Sequence, residues 1–266
     1  MTFADERKQY IIDAHIHLVQ YATENQRTII DYLEHPSSEL HGLITVSMDV
    51  ASGIRNLKLA EKHPRIHPTF GFHPEQEIPS TIELDKLFGF MEVNKEKMVA
   101  VGEVGLPYYL REKSPNLQLE PYCKLLEEFI RLAKLWVKPI VLHAVYEDAS
   151  IACDLLEKHS IEKAHFHWFK GPTSTVERMI QNGYYISVTP DCVYEQEIQT
   201  LIDLYPIEQL MVETDGPWPF EGPFTNEMTH PTMMHHSIAT IARIKNVGIE
   251  DVYIQLYNNV KQFYSI

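Results

Sequence analysis

Short apolar runs alternate with longer stretches of helical period from one end of the chain to the other. Eight runs have the length and makeup of buried strands: YIIDAHIHL (10–18), GLITVSM (42–48), IHPTFGF (66–72), MVAVGEVGL (98–106), PIVLH (139–143), AHFHWF (164–169), YYISVT (184–189) and LMVETD (210–215). Near-continuous apolar runs of this kind are typical of parallel strands covered on both faces. The segments between them have the helical period. In LQLEPYCKLLEEFIRLAKLW (117–136), Leu125, Phe129, Leu132 and Trp136 recur at spacings of three and four and form one stripe. A second helix is expected over 173–182, after Gly171-Pro172, with Thr173 as its cap. Strand–helix alternation repeated in this way predicts an α/β fold, a parallel sheet closed into a (β/α)8 TIM barrel with outer helices. A doubly wound open sheet is the alternative. Such sheets usually carry a glycine-rich turn after the first strand, and HLVQYATEN has no glycine. No linker, repeat or low-complexity tract divides the sequence, so a single domain over 1–266 is expected.

Composition narrows the function. With 266 residues the chain is long enough to bury a sizeable core. A hydrophobic fraction of 44% and a charged fraction of 23% are those of a soluble globular protein. The formal net charge of −14 argues against broad electrostatic attraction to nucleic acid or to an anionic membrane, although a local cationic site remains possible. Cys123, Cys153 and Cys192 are scattered, which suggests reduced thiols rather than a disulfide framework. The opening MTFADERKQY lacks the apolar region of a signal peptide, and no run approaches the roughly 18 apolar residues of a membrane span. The expected location is cytoplasmic.

The chemistry lies at the ends of the apolar runs. IIDAHIHL carries Asp13, His15 and His17 at strand spacing, so all three face one way. Alone, an HxH pair reads equally well as two cation ligands or as two satisfied histidines. The other runs end in polar groups too: His73 in GFHP, Glu103 in VGEVGL, His143 in PIVLH, His167 in FHWF and Asp215 in VETD. Barrel active sites are built at the strand C-termini. His15, His17, Glu103, His143, His167 and Asp215 supply enough nitrogen and oxygen for two divalent ions sharing a carboxylate. Asp13 is expected behind them, orienting a ligand or the strand.

DAHIHL, GFHP, VGEVGL, PIVLH, FHWFKG and ETDGP, in this order, resemble the TatD-like metal-dependent hydrolases, often described as deoxyribonucleases, of the amidohydrolase superfamily. YNNVKQFY is similar to that family's C-terminal segment, so the resemblance spans residues 11–264. It implies a (β/α)8 barrel with metal ligands at His15, His17, Glu103, His143, His167 and Asp215, Glu103 bridging two ions, and His73 near the substrate phosphate. It also implies a 3′-to-5′ exonuclease or a related activity. The chain departs from the family pattern at Pro107, where an aspartate is common. After His143 it has Ala144, Val145 and Tyr146, with no arginine. Lys170 stands where serine is frequent. Phosphate recognition is the function most affected, since an arginine fork suits phosphate well. Lys170 or Arg111 would have to compensate.

The expected activity is therefore hydrolysis by a metal-activated water, with Asp215 moving the proton and His73 and Lys170 binding substrate. Zinc, manganese, magnesium, iron and nickel all suit the donor set. The expected partner is single-stranded DNA or its 3′ ends. The alternatives are hydrolysis of a small ester, amide or lactone, and a metal-binding scaffold without activity. His63, His67, His159 and His165 are expected to be structural or solvent-facing, and His230, His235 and His236 to lie on the surface. Tyr108, Tyr109, Trp168, Phe169, Trp218 and Phe220 either stack bases or simply line the barrel mouth.

Overall fold

The computed structural model describes residues 9–266. Most of the N-terminal segment read for a signal peptide, residues 1–8, lies outside them. Eight strands alternate with helices: β1 (Ile11–Ile16), α1 (Thr23–Glu34), β2 (Leu40–Thr45), α2 (Val50–Ala60), β3 (Ile66–Phe70), α3 (Thr81–Asn94), β4 (Ala100–Gly105), α4 (Tyr108–Lys113), α5 (Glu120–Trp136), β5 (Ile140–His143), α6 (Glu147–Lys158), β6 (Ala164–Phe166), α7 (Thr173–Gln181), β7 (Tyr185–Val188), α8 (Gln196–Leu204), β8 (Leu210–Val212), α9 (Met234–Lys245) and α10 (Ile249–Tyr264). The strands form one sheet in sequential order, and each neighbouring pair is parallel.

Closure comes from residues just past the last strand. The Asp215 N–H donates to the His15 carbonyl at 3.0 Å, and the His17 N–H donates to the Gly216 carbonyl at 2.8 Å. Asp13 binds the same seam. Its carboxylate accepts from the Thr214 N–H at 3.0 Å and from the Thr214 hydroxyl at 2.6 Å. The sheet is thus a (β/α)8 barrel, and the open-sheet alternative is excluded. This closure also carries Asp215 to the His15–His17 strand end.

Every residue of β1, β4 and β5 is buried, which is why these strands read as apolar runs rather than alternating ones. α5 buries Tyr122, Leu125, Leu126, Phe129, Ile130 and Ala133; of the expected stripe, Leu125 and Phe129 are buried, whereas Leu132 and Trp136 are half-buried. A second cluster joins Ile12, Ala14, Ile44, Ala100, Val141 and Met211 to Val260, Phe263 and Tyr264 of α10. Asn259 anchors α10 to β8. Its side-chain N–H groups donate to the Ile207 and Leu210 carbonyls, both at 2.7 Å.

Two local expectations are corrected. Thr173 is the first residue of α7; Pro172 takes the capping position, and no side chain caps that end. The apolar runs also overshoot the strands, so His17, His73, His167 and Asp215 lie just beyond the last paired residues. Among the described residues no helix is long and apolar enough to cross a membrane.

Candidate metal centre

Glu103 is the middle of the site. It enters from β4, fully buried, and its two oxygens divide the surrounding imidazoles. Oε2 faces His15 Nε2 at 3.1 Å and His17 Nε2 at 3.2 Å. Oε1 faces His167 Nε2 at 2.7 Å, His143 Nδ1 at 3.3 Å and His73 Nε2 at 3.4 Å. Asp215 Oδ1 joins the first group, 3.4 Å from His15 Nε2 and 3.3 Å from His17 Nε2. The six predicted ligands and His73 therefore converge on one place. Gly105 makes part of this possible, because it pairs with His143 at the strand ends. A Cβ there would lie 1.9 Å from the His143 carbonyl oxygen, so only glycine lets β4 and β5 approach closely enough.

The donor set suits a divalent cation. His15 Nε2, both Glu103 oxygens and Asp215 Oδ1 are buried without a hydrogen-bond partner among the described residues, although His15 Nε2 lies within 3.5 Å of Glu103 Oε2 and of Asp215 Oδ1. Buried polar atoms are rarely left in this state, and a cation would satisfy all of them. Three overlapping sets, His15–Glu103–His167, His15–His17–Asp215 and His17–His73–Glu103, each bring ligand atoms within 4.8 Å of one another. The charge balance agrees. Burial alone would raise the Glu103 carboxyl, but His167, His73 and His15 outweigh it and hold the group well below the usual carboxylate range. Burial and the neighbouring His167 hold His15 well below the usual imidazole range, so its lone pair is free. Burial opposes the charged form of His17, yet Asp215 and Glu103 lift its pKa to about 9.

A layer of acids supports these side chains. Asp13 faces the seam rather than the ligands; besides Thr214 it accepts from the His15 N–H at 3.2 Å, so it orients the strand. Glu213 lies behind His167, with Oε1 3.6 Å from His167 Nδ1, and accepts the Trp168 N–H at 2.8 Å. Its other oxygen accepts from the Ser187 hydroxyl. Ser187 meets His165 Nε2 at 2.5 Å, and His165 Nδ1 meets the Tyr264 hydroxyl at 2.7 Å. His165 thus belongs to a buried polar column, a structural role. Glu75 pairs with His143 Nε2 at 3.1 Å. Sequence reading missed Glu75 and Glu213. Glu213 was detectable, one strand period before Asp215, whereas Glu75 sits in a loop without a period.

The site opens into a cavity of ≈ 400 Å³ walled by Tyr109, Trp168 and Trp218 and reached by two cations, Lys113 and Lys170. Lys170 lies 3.9 Å from Asp191, which also accepts from the Trp168 indole N–H at 2.7 Å. Arg111, one of the two expected substitutes for an arginine fork, instead pairs with the buried Asp148. Phe169 is a core residue, and Phe220 packs with Phe224 and Met233, so neither lines the mouth. His235 is half-buried against the Tyr253 hydroxyl at 2.6 Å, not free on the surface.

Residues 12–265 match the protein family described as TatD related DNase. The chain belongs to this family. A metal-dependent hydrolase of uncharacterised function from Haemophilus influenzae is 37% identical over 257 residues, covering 96% of this chain and all of that one. The human protein named deoxyribonuclease TATDN3 is 27% identical, covering 95% of this chain and 94% of its own. The crystal structure of YjjV, a TatD homologue of Escherichia coli, superposes with a TM-score of 0.83 at 23% identity, covering 98% and 99% of the two chains. The protein is thus a metal-dependent hydrolase of the TatD family. Its departures from the family pattern cluster around the cavity. Pro107 precedes α4, and Val145 and Lys170 line the wall.

Proposed function

We propose that this chain is a divalent-metal-dependent phosphodiesterase that removes nucleotides from the 3′ end of a single strand. The observation that carries the reading is the division of imidazoles between the two buried Glu103 oxygens, with His73, His143, His167 and Asp215 of that cluster lining a cavity that also holds two lysines. His15, His17 and Asp215 would hold one cation, His143 and His167 a second, and Glu103 both. Divalent cations in such a setting lower the pKa of water and polarise an ester oxygen. Asp215 borders the cavity, and its Oδ1 turns to His15 and His17, which leaves the other carboxylate oxygen to take the water's proton and return it to the leaving oxygen. His73 borders the same cavity, and the nearby Lys170 and Lys113 offer charge to a phosphate. Trp168, Trp218 and Tyr109 offer faces to a base. Three free thiols, two of them buried, fit a reducing cytoplasmic setting.

One observation favours a second reading. A cavity of ≈ 400 Å³ with no arginine on its wall among the described residues also suits a small ester, amide or lactone. The test compares single strands with free and blocked 3′ ends against a panel of such small substrates, with Mn²⁺ or Mg²⁺ added. Stepwise shortening from the free 3′ end supports the nuclease. Inertness toward every oligonucleotide, with turnover of a small substrate, replaces it with the second reading.

A further inference from the structure

Glu75 touches the candidate metal centre without belonging to either group around Glu103. It lies in the loop after β3, two residues beyond His73. Its carboxylate accepts the Tyr109 N–H at 2.9 Å and the Leu110 N–H at 2.5 Å, both at the start of α4. The same carboxylate lies 3.1 Å from His143 Nε2. Its backbone N–H donates to His73 Nδ1 at 3.2 Å. This one residue therefore holds two imidazoles and the helix that carries the Tyr109–Lys113 wall.

These contacts have opposite consequences for the two rings. An imidazole facing a carboxylate through Nε2 keeps its proton there, and its Nδ1 lone pair is free. In His143 the Nδ1 also faces a carboxylate, Glu103 Oε1 at 3.3 Å, but that oxygen already meets His167 Nε2 at 2.7 Å, so the proton stays on the closer Glu75 side and the Nδ1 lone pair lies on the metal side. An imidazole that accepts a backbone N–H at Nδ1 keeps its proton on Nε2. In His73 that Nε2 is the atom facing Glu103, and the residue borders the cavity. We infer that Glu75 is a positioning residue that divides labour between the rings: its carboxylate makes His143 a metal ligand through Nδ1, its backbone makes His73 a hydrogen-bond donor, and both are locked to the α4 wall. The metal-ligand half of this assignment rests on the proposed function; the tautomers do not. Carboxylate–histidine–metal arrangements of this kind raise ligand basicity and fix ring orientation.

The test is long-range ¹H–¹⁵N NMR of the imidazoles in metal-free protein at alkaline pH, joined to metal affinity by chelator competition. In the wild type both His143 and His73 should carry the proton on Nε2. Glu75→Ala should release His143 into a mixture of tautomers while His73, held by a backbone N–H that the substitution keeps, stays unchanged. Zn²⁺ affinity should fall about 10- to 100-fold in Glu75→Ala. Glu75→Gln, which retains one acceptor oxygen, should fall less. A wild-type His143 protonated on Nδ1, or a Glu75→Ala protein with unchanged tautomer and Zn²⁺ affinity, overturns the inference and leaves Glu75 as a cap for α4. A wild type with the expected tautomers but no affinity for Zn²⁺, Mn²⁺ or Mg²⁺ instead overturns the metal-ligand half together with the proposed function.

Discussion

At the scale of single residues, ionisable groups in apolar strands were the most informative feature of the sequence. Strand spacing put Asp13, His15 and His17 on one side, and the other runs ended in His, Glu or Asp. The structure brings His15, His17, Glu103, His143, His167 and Asp215 together, but it separates Asp13, whose carboxylate turns to Thr214 across the barrel seam. Spacing along one strand reports the face, not the depth or the neighbouring strand. Arg111 shows the same limit, because its buried partner Asp148 comes from a different helix. In the proposed reaction Asp215 moves the proton. Asp215→Asn should therefore keep most bound metal while kcat falls about 10²- to 10⁴-fold, as removal of a proton-transfer group commonly does. Steady-state kinetics beside metal analysis of the same preparation checks this; near wild-type turnover would remove Asp215 from the role.

At the scale of elements, all eight strands were legible, and their ends were not. The runs AHFHWF and LMVETD continue as buried chain beyond Phe166 and Val212, because the segments that carry the site are themselves enclosed. Apolar character marks burial, whereas pairing depends on the neighbouring strand. α4 was not foreseen, being a six-residue helix tied down by Glu75 rather than by an apolar period. α10 was foreseen only as an Asn-rich segment resembling the family's C-terminus. Its Asn259 is nearly fully buried and satisfies two carbonyls beside β8. Asn259→Ala leaves both without this donor, and a buried unsatisfied group costs about 1–3 kcal/mol. Urea unfolding should show a loss of at least about 2 kcal/mol with an unchanged denaturant slope. A midpoint equal to wild type would show that α10 is held by its apolar face alone.

At the scale of the whole molecule, the barrel and the acidic surface act together. The net charge of −14 leaves cations only locally, and Lys113 and Lys170 stand at the cavity. A protein holding one or two phosphates of a single strand gives a log–log salt slope of only about −0.7 to −1.4. Oligonucleotide turnover should thus depend weakly on NaCl and steeply on added Mn²⁺ or Mg²⁺. Tight duplex binding with a steep salt slope would contradict this. Lys170→Ala should raise KM more than it lowers kcat if the lysine contacts ground state and transition state alike. The central claim is that Glu103 joins two cation sites at the strand ends. Its most direct test is the stoichiometry of Mn²⁺ bound at saturation by wild type and Glu103→Ala. The account predicts about two ions per chain for the wild type and a marked loss for the variant, since a shared carboxylate holds both. Unchanged stoichiometry without Glu103 would contradict it.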